Sequence, residues 1–306
     1  MPITLSRRSF GVLSAASAAA FFGRTSTGQE AIRRTGKSRM KLALAAYGFR
    51  DHFKHANHER PKAAAPDQQI DMFQFIDYCA EHDCAAEVTS YYFPADADTA
   101  YFLKLKRHAF LRGVELSGTA VGNTFTHPAG AKRDQQIKHV KEWIDRAALM
   151  GVPHIRVFAG NAEGQPLETA KKNCIGALKE CLEHAADLGV FLGIENHGGI
   201  VAEPDVLLEI VREVNHPWLG INLDSGNFHT DDPYRDLARC APHAVNVQLK
   251  TEISPRGQKK SEADLQRLAG ILREANYQGY VVLEYEAAEN PYTAVPRVLG
   301  QLRELL

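Results

Sequence analysis

The chain has almost no net charge: 36 Lys and Arg against 37 Asp and Glu leave a formal charge of −1 and a pI near 6.9. Binding to a phosphate backbone comes largely from cations that neutralise it, so no nucleic-acid partner is expected. The five cysteines are odd in number and contain no CxxC pair. Cys174 and Cys181 lie on one stretch of helical period, roughly 10 Å apart along its axis, too far to be bridged. A disulfide framework is not expected, and the five read as buried small residues. No apolar run reaches the ~20 residues of a membrane-spanning helix, so no stable span is expected. No GxGxxG follows the first apolar strand, which disfavours a dinucleotide fold.

The N-terminus carries Ser6-Arg7-Arg8-Ser9-Phe10 followed by an Ala-rich apolar run over residues 11–22. This resembles a bacterial twin-arginine (Tat) signal peptide. Residues 1–37 are accordingly expected to be signal peptide and polar linker, and 38–306 the fold. The resemblance implies export in the folded state to the periplasm or another extracytoplasmic space. No clean A-x-A site is visible, which leaves cleavage and retention both open.

From Met40 onward, short apolar runs alternate with amphipathic stretches of helical period. The runs fall at 42–47, 85–89, 114–119, 154–158, 190–194, 219–223, 244–249 and 280–283. Helical patterns include 69–82, 134–150, 166–188, 204–214, 262–275 and 291–305. Strands alternating with helices of this length predict right-handed βαβ units and a parallel sheet. Eight such units close most naturally into a single-domain (β/α)₈ TIM barrel. Gly113, Gly151, Gly189 and Gly279 are placed to end helices in the left-handed conformation before the next strand.

In such a barrel the chemistry sits where strands run out at the C-terminal face. Four consecutive strands there deliver an oxygen donor: Glu195, Asp224, Gln248 and Glu284, each about one βα unit from the next. Three carboxylates in one small volume repel unless a cation joins them or some take up protons. A divalent metal held by all four residues resolves this, and an all-oxygen set favours Mg²⁺ or Mn²⁺. Arg156 at the end of strand four, Glu87 at the end of strand two, and His197, Asn227 and Lys250 near the ligands are candidate substrate-binding residues. Each has an alternative structural role in a salt bridge, a hydrogen bond or loop packing. Tyr91, Tyr92 and Phe93 after strand two form either a wall for a sugar ring or plain loop packing.

The run from about residue 40 to the C-terminus resembles the xylose isomerase-like TIM barrels of sugar phosphate isomerases and epimerases. The resemblance is carried by Glu195-Asn196-His197-Gly198-Gly199, Asp224-Ser225-Gly226-Asn227, Gln248-Leu249-Lys250 and Glu284-Tyr285-Glu286. His154-Ile155-Arg156-Val157-Phe158 adds to it. In that family the matching positions are Glu, Asp, His or sometimes Gln, and Glu, and they bind a divalent ion. Gln248 thus stands where many relatives have His, which removes the only nitrogen donor. The resemblance implies that Glu195 and Glu284 also move protons. The metal would polarise a keto sugar's carbonyl while one glutamate removes the α-proton and the other returns one from the opposite face.

The function implied is a metal-dependent sugar or keto-sugar isomerase or epimerase working through an enediolate. The alternative is a lyase or dehydratase acting on an inosose or keto-glycoside by the same deprotonation. A nuclease on this barrel would need a histidine-rich metal cluster and a basic face, which the sequence lacks. A non-catalytic sugar-binding module would have no need of both Glu195 and Glu284. The expected partner is a small carbohydrate, unphosphorylated if the protein is exported. Monomer and homo-oligomer are both open.

Overall fold

The computed structural model describes residues 31–57 and 62–306. The twin-arginine segment lies outside the described residues. The later part of the expected linker packs on the base of the fold: the Ile32 amide donates to the Pro242 carbonyl at 3.1 Å, and Gln278 donates to the carbonyls of Thr35 and Lys37.

Eight parallel strands close a barrel: β1 (Arg39–Ala45), β2 (Ala85–Glu87), β3 (Leu116–Ala120), β4 (His154–Val157), β5 (Phe191–Glu195), β6 (Leu219–Asp224), β7 (Ala244–Leu249) and, after a short antiparallel hairpin of β8 (Glu252–Ile253) and β9 (Ser261–Glu262), β10 (Gln278–Leu283). Pairing of β1 with β10 from Arg39–Gln278 to Leu44–Leu283 closes the ring. Helices α1 (Met72–Glu81), α2 (Thr99–Leu111), α3 (Ala131–Met150), α4 (Leu167–Leu188), α5 (Pro204–Val214), α6 (Pro233–Cys240), α7 (Leu265–Glu274) and α8 (Pro291–Leu305) fill the crossovers. The (β/α)₈ barrel read from the periodicity is the observed fold.

Local chemistry sets the helix starts. The Asp71 carboxylate accepts from the Gln74 amide while the Gln74 side chain accepts from the Asp71 amide, a capping box that starts α1 three residues later than the apolar pattern suggested. Pro204 and Pro291 occupy the first turns of α5 and α8, where a missing N–H costs nothing. Gly113, Gly151 and Gly189 adopt φ of 71°, 77° and 69° after α2, α3 and α4, as expected. Gly279 does not cap a helix. It lies inside β10 opposite Met40, where a β-carbon would fall 2.6 Å from the Tyr277 hydroxyl. The left-handed residue after α7 is Asn276, at φ 51°. All five cysteines are free and buried. Among the described residues no helix is long and apolar enough to cross a membrane.

The main apolar core lies between the strands and the helices and includes Ile155, Ile194, Ile221 and Leu283 from the strands with Leu178 and Leu299 from the helices. Inside the ring the lining differs. Ala43, Ala45, Ala85 and Val282 form a small separate apolar cluster, and the rest is polar: Glu87, His154, Arg156, Glu195, Asn222, Asp224, Asn246, Gln248 and Glu284 are all buried. Side chains two residues apart on a strand share a face, so each strand delivers an alternating set to the lumen.

Candidate active site

The four residues expected to converge do so, but each oxygen already has a protein partner. Glu195 at the end of β5 is ion-paired through Oε2 to Arg156 Nε, 2.9 Å away, and accepts from Asn227 Nδ2 on Oε1 at 2.8 Å. Asp224 at the end of β6 receives the Gly226 amide on Oδ1 at 2.8 Å and faces Lys250 Nζ across 3.1 Å from Oδ2. Glu284, just past β10, has Lys250 Nζ 3.4 Å from Oε2 and accepts from Gln248 Nε2 on Oε1 at 3.2 Å. The Gln248 Oε1 accepts from Asn222 Nδ2 at 2.6 Å.

Below this layer a circuit of amides crosses the lumen. Asn246 Nδ2 donates to Asn222 Oδ1 at 2.8 Å and to Glu87 Oε2 at 3.4 Å; Asn222 donates to Gln248; and Gln248 Nε2 donates to Glu87 Oε1 at 3.0 Å. A carboxylate only accepts, so Glu87 and Glu284 fix which way each amide points. The Gln248 nitrogen therefore faces the carboxylates. A metal ligand at that position would need its oxygen there instead.

The strand ends are tied to one another. Asn196 clamps the Asp224 backbone, accepting from its amide at 2.8 Å and donating to its carbonyl at 2.9 Å. The Lys250 amide donates to Ser225 Oγ at 2.8 Å. After β5, Gly198 and Gly199 turn at φ 61° and 55°, and a β-carbon on Gly199 would lie 2.3 Å from the Gly160 carbonyl oxygen. The Gly-Gly pair thus lets the loops after β4 and β5 approach within backbone contact.

Lys250 occupies the middle of the acidic layer. Besides Asp224 and Glu284, its Nζ lies 2.9 Å from Glu286 Oε2 and donates to Asn227 Oδ1 at 3.0 Å. Burial alone would lower its pKa, but Asp224, Glu284, Glu286 and Glu195 outweigh that and hold it protonated. Arg156 is likewise kept charged against its burial by Tyr91, Glu195 and Glu284.

The carboxyls move the other way. Burial pushes Glu195 up to about 7, with Arg156 opposing and Asp224 adding to the rise. Burial raises Glu284 well above the usual range against the pull of Lys250. Glu87 is raised to about 7 by burial, opposed by Arg156 and the Gln248 hydrogen bond. Near neutrality, Glu195 and Glu87 can both take and give a proton.

Tested against this geometry, a divalent ion does not fit the expected set. The seven side-chain oxygens of Glu195, Asp224, Gln248 and Glu284 all have protein donors or cations on them, and an ammonium sits among them. Among the described residues no group of three or more His, Cys, Asp or Glu side chains is arranged to hold a metal.

The expected substrate-binding residues separate into layers. Arg156, Asn227 and Lys250 surround Glu195 and Glu284; Glu87 lies deeper, within the amide circuit; His197 is exposed at the rim, its ring 4.3 Å from that of Phe158. Of the three aromatics after β2, Tyr91 faces the site with its hydroxyl 3.4 Å from both terminal nitrogens of Arg156. Tyr92 stacks on Phe53 at 4.4 Å, and Phe93 packs on Phe102 and Trp143, so both are structural. A cavity of about 460 Å³ lined by Tyr47, Asn57, Ser90, Tyr91, Gly122 and His139 opens beside Tyr91. A second, of about 220 Å³, is lined by Asn227, Lys250 and Glu286.

Sequence reasoning passed over Asn222, Asn246, Glu286 and His154 as site residues. The two-residue strand period pointed to the first three, since they stand two positions from Asp224, Gln248 and Glu284.

Comparison with known proteins agrees with this architecture. Residues 63–305 match the model of the xylose isomerase-like TIM barrel family. The chain belongs to that family. No curated protein matches it. Solved structures with the same fold include 3-keto-D-glucoside 4-epimerase from E. coli, at 17% identity and TM-score 0.64, covering 87% of this chain and 100% of that one. D-psicose 3-epimerase in the presence of D-fructose matches at 15% identity and TM-score 0.66, over 82% of this chain and 86% of that one. The IolI protein with a bound zinc atom matches at 17% identity and TM-score 0.65, over 87% and 96%.

Proposed function

We propose that this protein is a carbohydrate isomerase or epimerase that works by moving a proton next to a carbonyl. The observation that carries the reading is the pair Glu195 and Glu284. Both are buried, burial raises both above the usual carboxylate range, and their strands stand three places apart in the eight-strand ring. One carboxylate takes the α-proton, the C–H electron pair becomes the enediolate double bond, and the carbonyl oxygen gains the charge. The other carboxyl returns a proton from the opposite face as the C=O re-forms, giving the epimer, or to the neighbouring carbon while the adjacent hydroxyl's proton passes to the former carbonyl oxygen, giving the isomer. Lys250, hydrogen-bonded to Asn227 and ion-paired to Glu284, supplies a cation for an enediolate oxygen.

The aromatic rings of Tyr47 and Tyr91 beside the 460 Å³ cavity suit an apolar sugar face. Arg156 and Lys250 are both committed to carboxylates, which favours a neutral sugar over a phosphorylated or carboxylated one. The twin-arginine pattern supports the same choice. Expulsion of a β-leaving group from the same enediolate would make the enzyme a lyase, and the product distinguishes the two outcomes. The metal-assisted version expected from the sequence would need Lys250 withdrawn and the Gln248 amide turned over.

The test is proton exchange. Purified protein in D₂O with keto sugars, inososes and 3-keto-glycosides is followed by NMR. Deuterium should enter α to the carbonyl and be lost in Glu195→Gln and in Glu284→Gln. Exchange unaffected by both substitutions would sink the assignment.

A further inference from the structure

We infer that the resident cation of this barrel is the Lys250 ammonium, seated in the position where the sequence pattern places a divalent metal. Four oxygens surround its Nζ: Glu286 Oε2 at 2.9 Å, Asn227 Oδ1 at 3.0 Å, Asp224 Oδ2 at 3.1 Å and Glu284 Oε2 at 3.4 Å. Two of these belong to the expected metal ligands. A divalent ion binding Asp224 and Glu284 would approach their oxygens to ~2.0–2.6 Å. It would then stand within a few ångströms of the ammonium, and two positive charges that close repel.

Three further features fit a lysine-filled site. An ion pair with Arg156 and a hydrogen bond from Asn227 take both oxygens of Glu195, so the third carboxylate of the expected set already has protein partners. Gln248 turns its nitrogen towards Glu87 and Glu284 and its oxygen towards Asn222. Histidine there would offer a lone pair to a metal; this glutamine offers N–H groups to carboxylates. Glu286, which no reading of the metal pattern uses, completes the ammonium's shell from two residues beyond Glu284. Gly226 has room only for a hydrogen: a β-carbon there would fall 2.8 Å from Lys250 Cδ, so the loop after β6 is shaped around the lysine stem.

The inference concerns which cation fills the site, so it is tested without any substrate and stands apart from the proposed reaction. The purified protein is analysed for bound metals, treated with chelator, then titrated with Mn²⁺ while free Mn²⁺ is counted by electron paramagnetic resonance. Wild type should hold no stoichiometric metal and bind no Mn²⁺ with one-to-one saturation. Lys250→Ala should bind one equivalent, and its melting temperature should climb with Mn²⁺ concentration where that of wild type does not. Gln248→His added to Lys250→Ala should tighten that binding. One equivalent of metal in the wild type, or one-to-one Mn²⁺ binding by it, overturns the inference. So does a folded Lys250→Ala that binds none. If Lys250→Ala does not fold, as circular dichroism would show, the wild-type titration alone decides.

Discussion

Arg156 holds Glu195 through its Nε, 2.9 Å from Oε2, while its guanidinium carbon sits 3.9 Å from the centre of the Phe158 ring. Its other nitrogens reach the Tyr91 hydroxyl and the Val121 carbonyl, so one planar group spans β4, the loop after β2 and the end of β3. Removing one partner of a buried pair costs ~3–5 kcal/mol when the other charge stays behind. Here burial already holds Glu195 at about 7, so in Arg156→Met the carboxyl takes up a proton. Urea unfolding should therefore show a loss of about 3 kcal/mol, at the lower end of that range. Proton exchange should fall by about 100-fold, because a protonated Glu195 is not a base. Arg156→Lys should recover little of it, since one ammonium cannot serve three acceptors in different directions. Wild-type exchange in Arg156→Met would remove Arg156 from the account.

Gly193 makes room for the His154 ring. A β-carbon on Gly193 would lie 2.3 Å from His154 Nε2 and 3.0 Å from the Asn222 β-carbon. Neither neighbour is a flexible chain end, and all three are buried. Gly193→Ala should destabilise by about 2 kcal/mol or more, as overpacking of a closed interior does. His154→Ala should relieve the clash, so the double variant should be more stable than the two single losses predict, a coupling of ~1–2 kcal/mol in thermal or urea unfolding. Strict additivity would show that the ring has somewhere else to go.

His154 also makes acid unfolding specific to one residue. Burial lowers its pKa to about 3, with Arg156 adding to the effect, and neither ring nitrogen has a hydrogen-bond partner. The unfolded chain protonates this histidine below its ordinary value of ~6.5. Between pH 6.5 and about 3 the unfolded state binds the extra proton, so stability falls as pH falls, by up to ~1.4 kcal/mol per unit. The buried glutamates, whose pKa values are raised, act in the opposite sense over part of that window. The comparison must therefore be between His154→Leu and wild type across the same pH range. The stability gap should shift in favour of the leucine variant steadily from pH 6.5 to 4, and a pH-independent gap would refute a neutral buried His154.

The barrel was legible because the strand windows, such as 190–194, are short and mainly apolar, and alternate with helix-length amphipathic stretches. Position at the strand ends also picked out Glu195, Asp224, Gln248 and Glu284 as a converging set. What the pattern did not reveal was which donors those oxygens would find. A lysine two residues after Gln248 faces the lumen by strand period, but the length and direction of its stem decide whether the ammonium reaches solvent or Asp224. Asn222 and Asn246 read as ordinary strand residues, because a closed ring of amides exists only once β2, β6 and β7 are brought around one lumen. Gly279 was misplaced for a similar reason: its need for a missing side chain comes from the Tyr277 hydroxyl, a contact invisible to helix-capping rules.

The amide circuit supplies the last prediction. Gln248 accepts from Asn222 at 2.6 Å and donates to Glu87 at 3.0 Å and Glu284 at 3.2 Å, so Gln248→Leu strands a buried donor on Asn222 and an acceptor on Glu87. Each unsatisfied buried group costs ~1–3 kcal/mol. Glu87, raised to about 7, can limit its share by taking a proton, which leaves Asn222 as the main loss. Gln248→Leu should therefore cost about 3 kcal/mol. Asn222→Leu breaks the same ring at the preceding link, stranding Asn246 on one side and Gln248 on the other. Once either residue has become leucine, the bond between them is already gone, and the second substitution has less to destroy. The double variant should lose ~1–2 kcal/mol less than the sum of the single losses in equilibrium unfolding. Full additivity would mean that the four side chains act as separate hydrogen bonds and not as one circuit closed on Glu87.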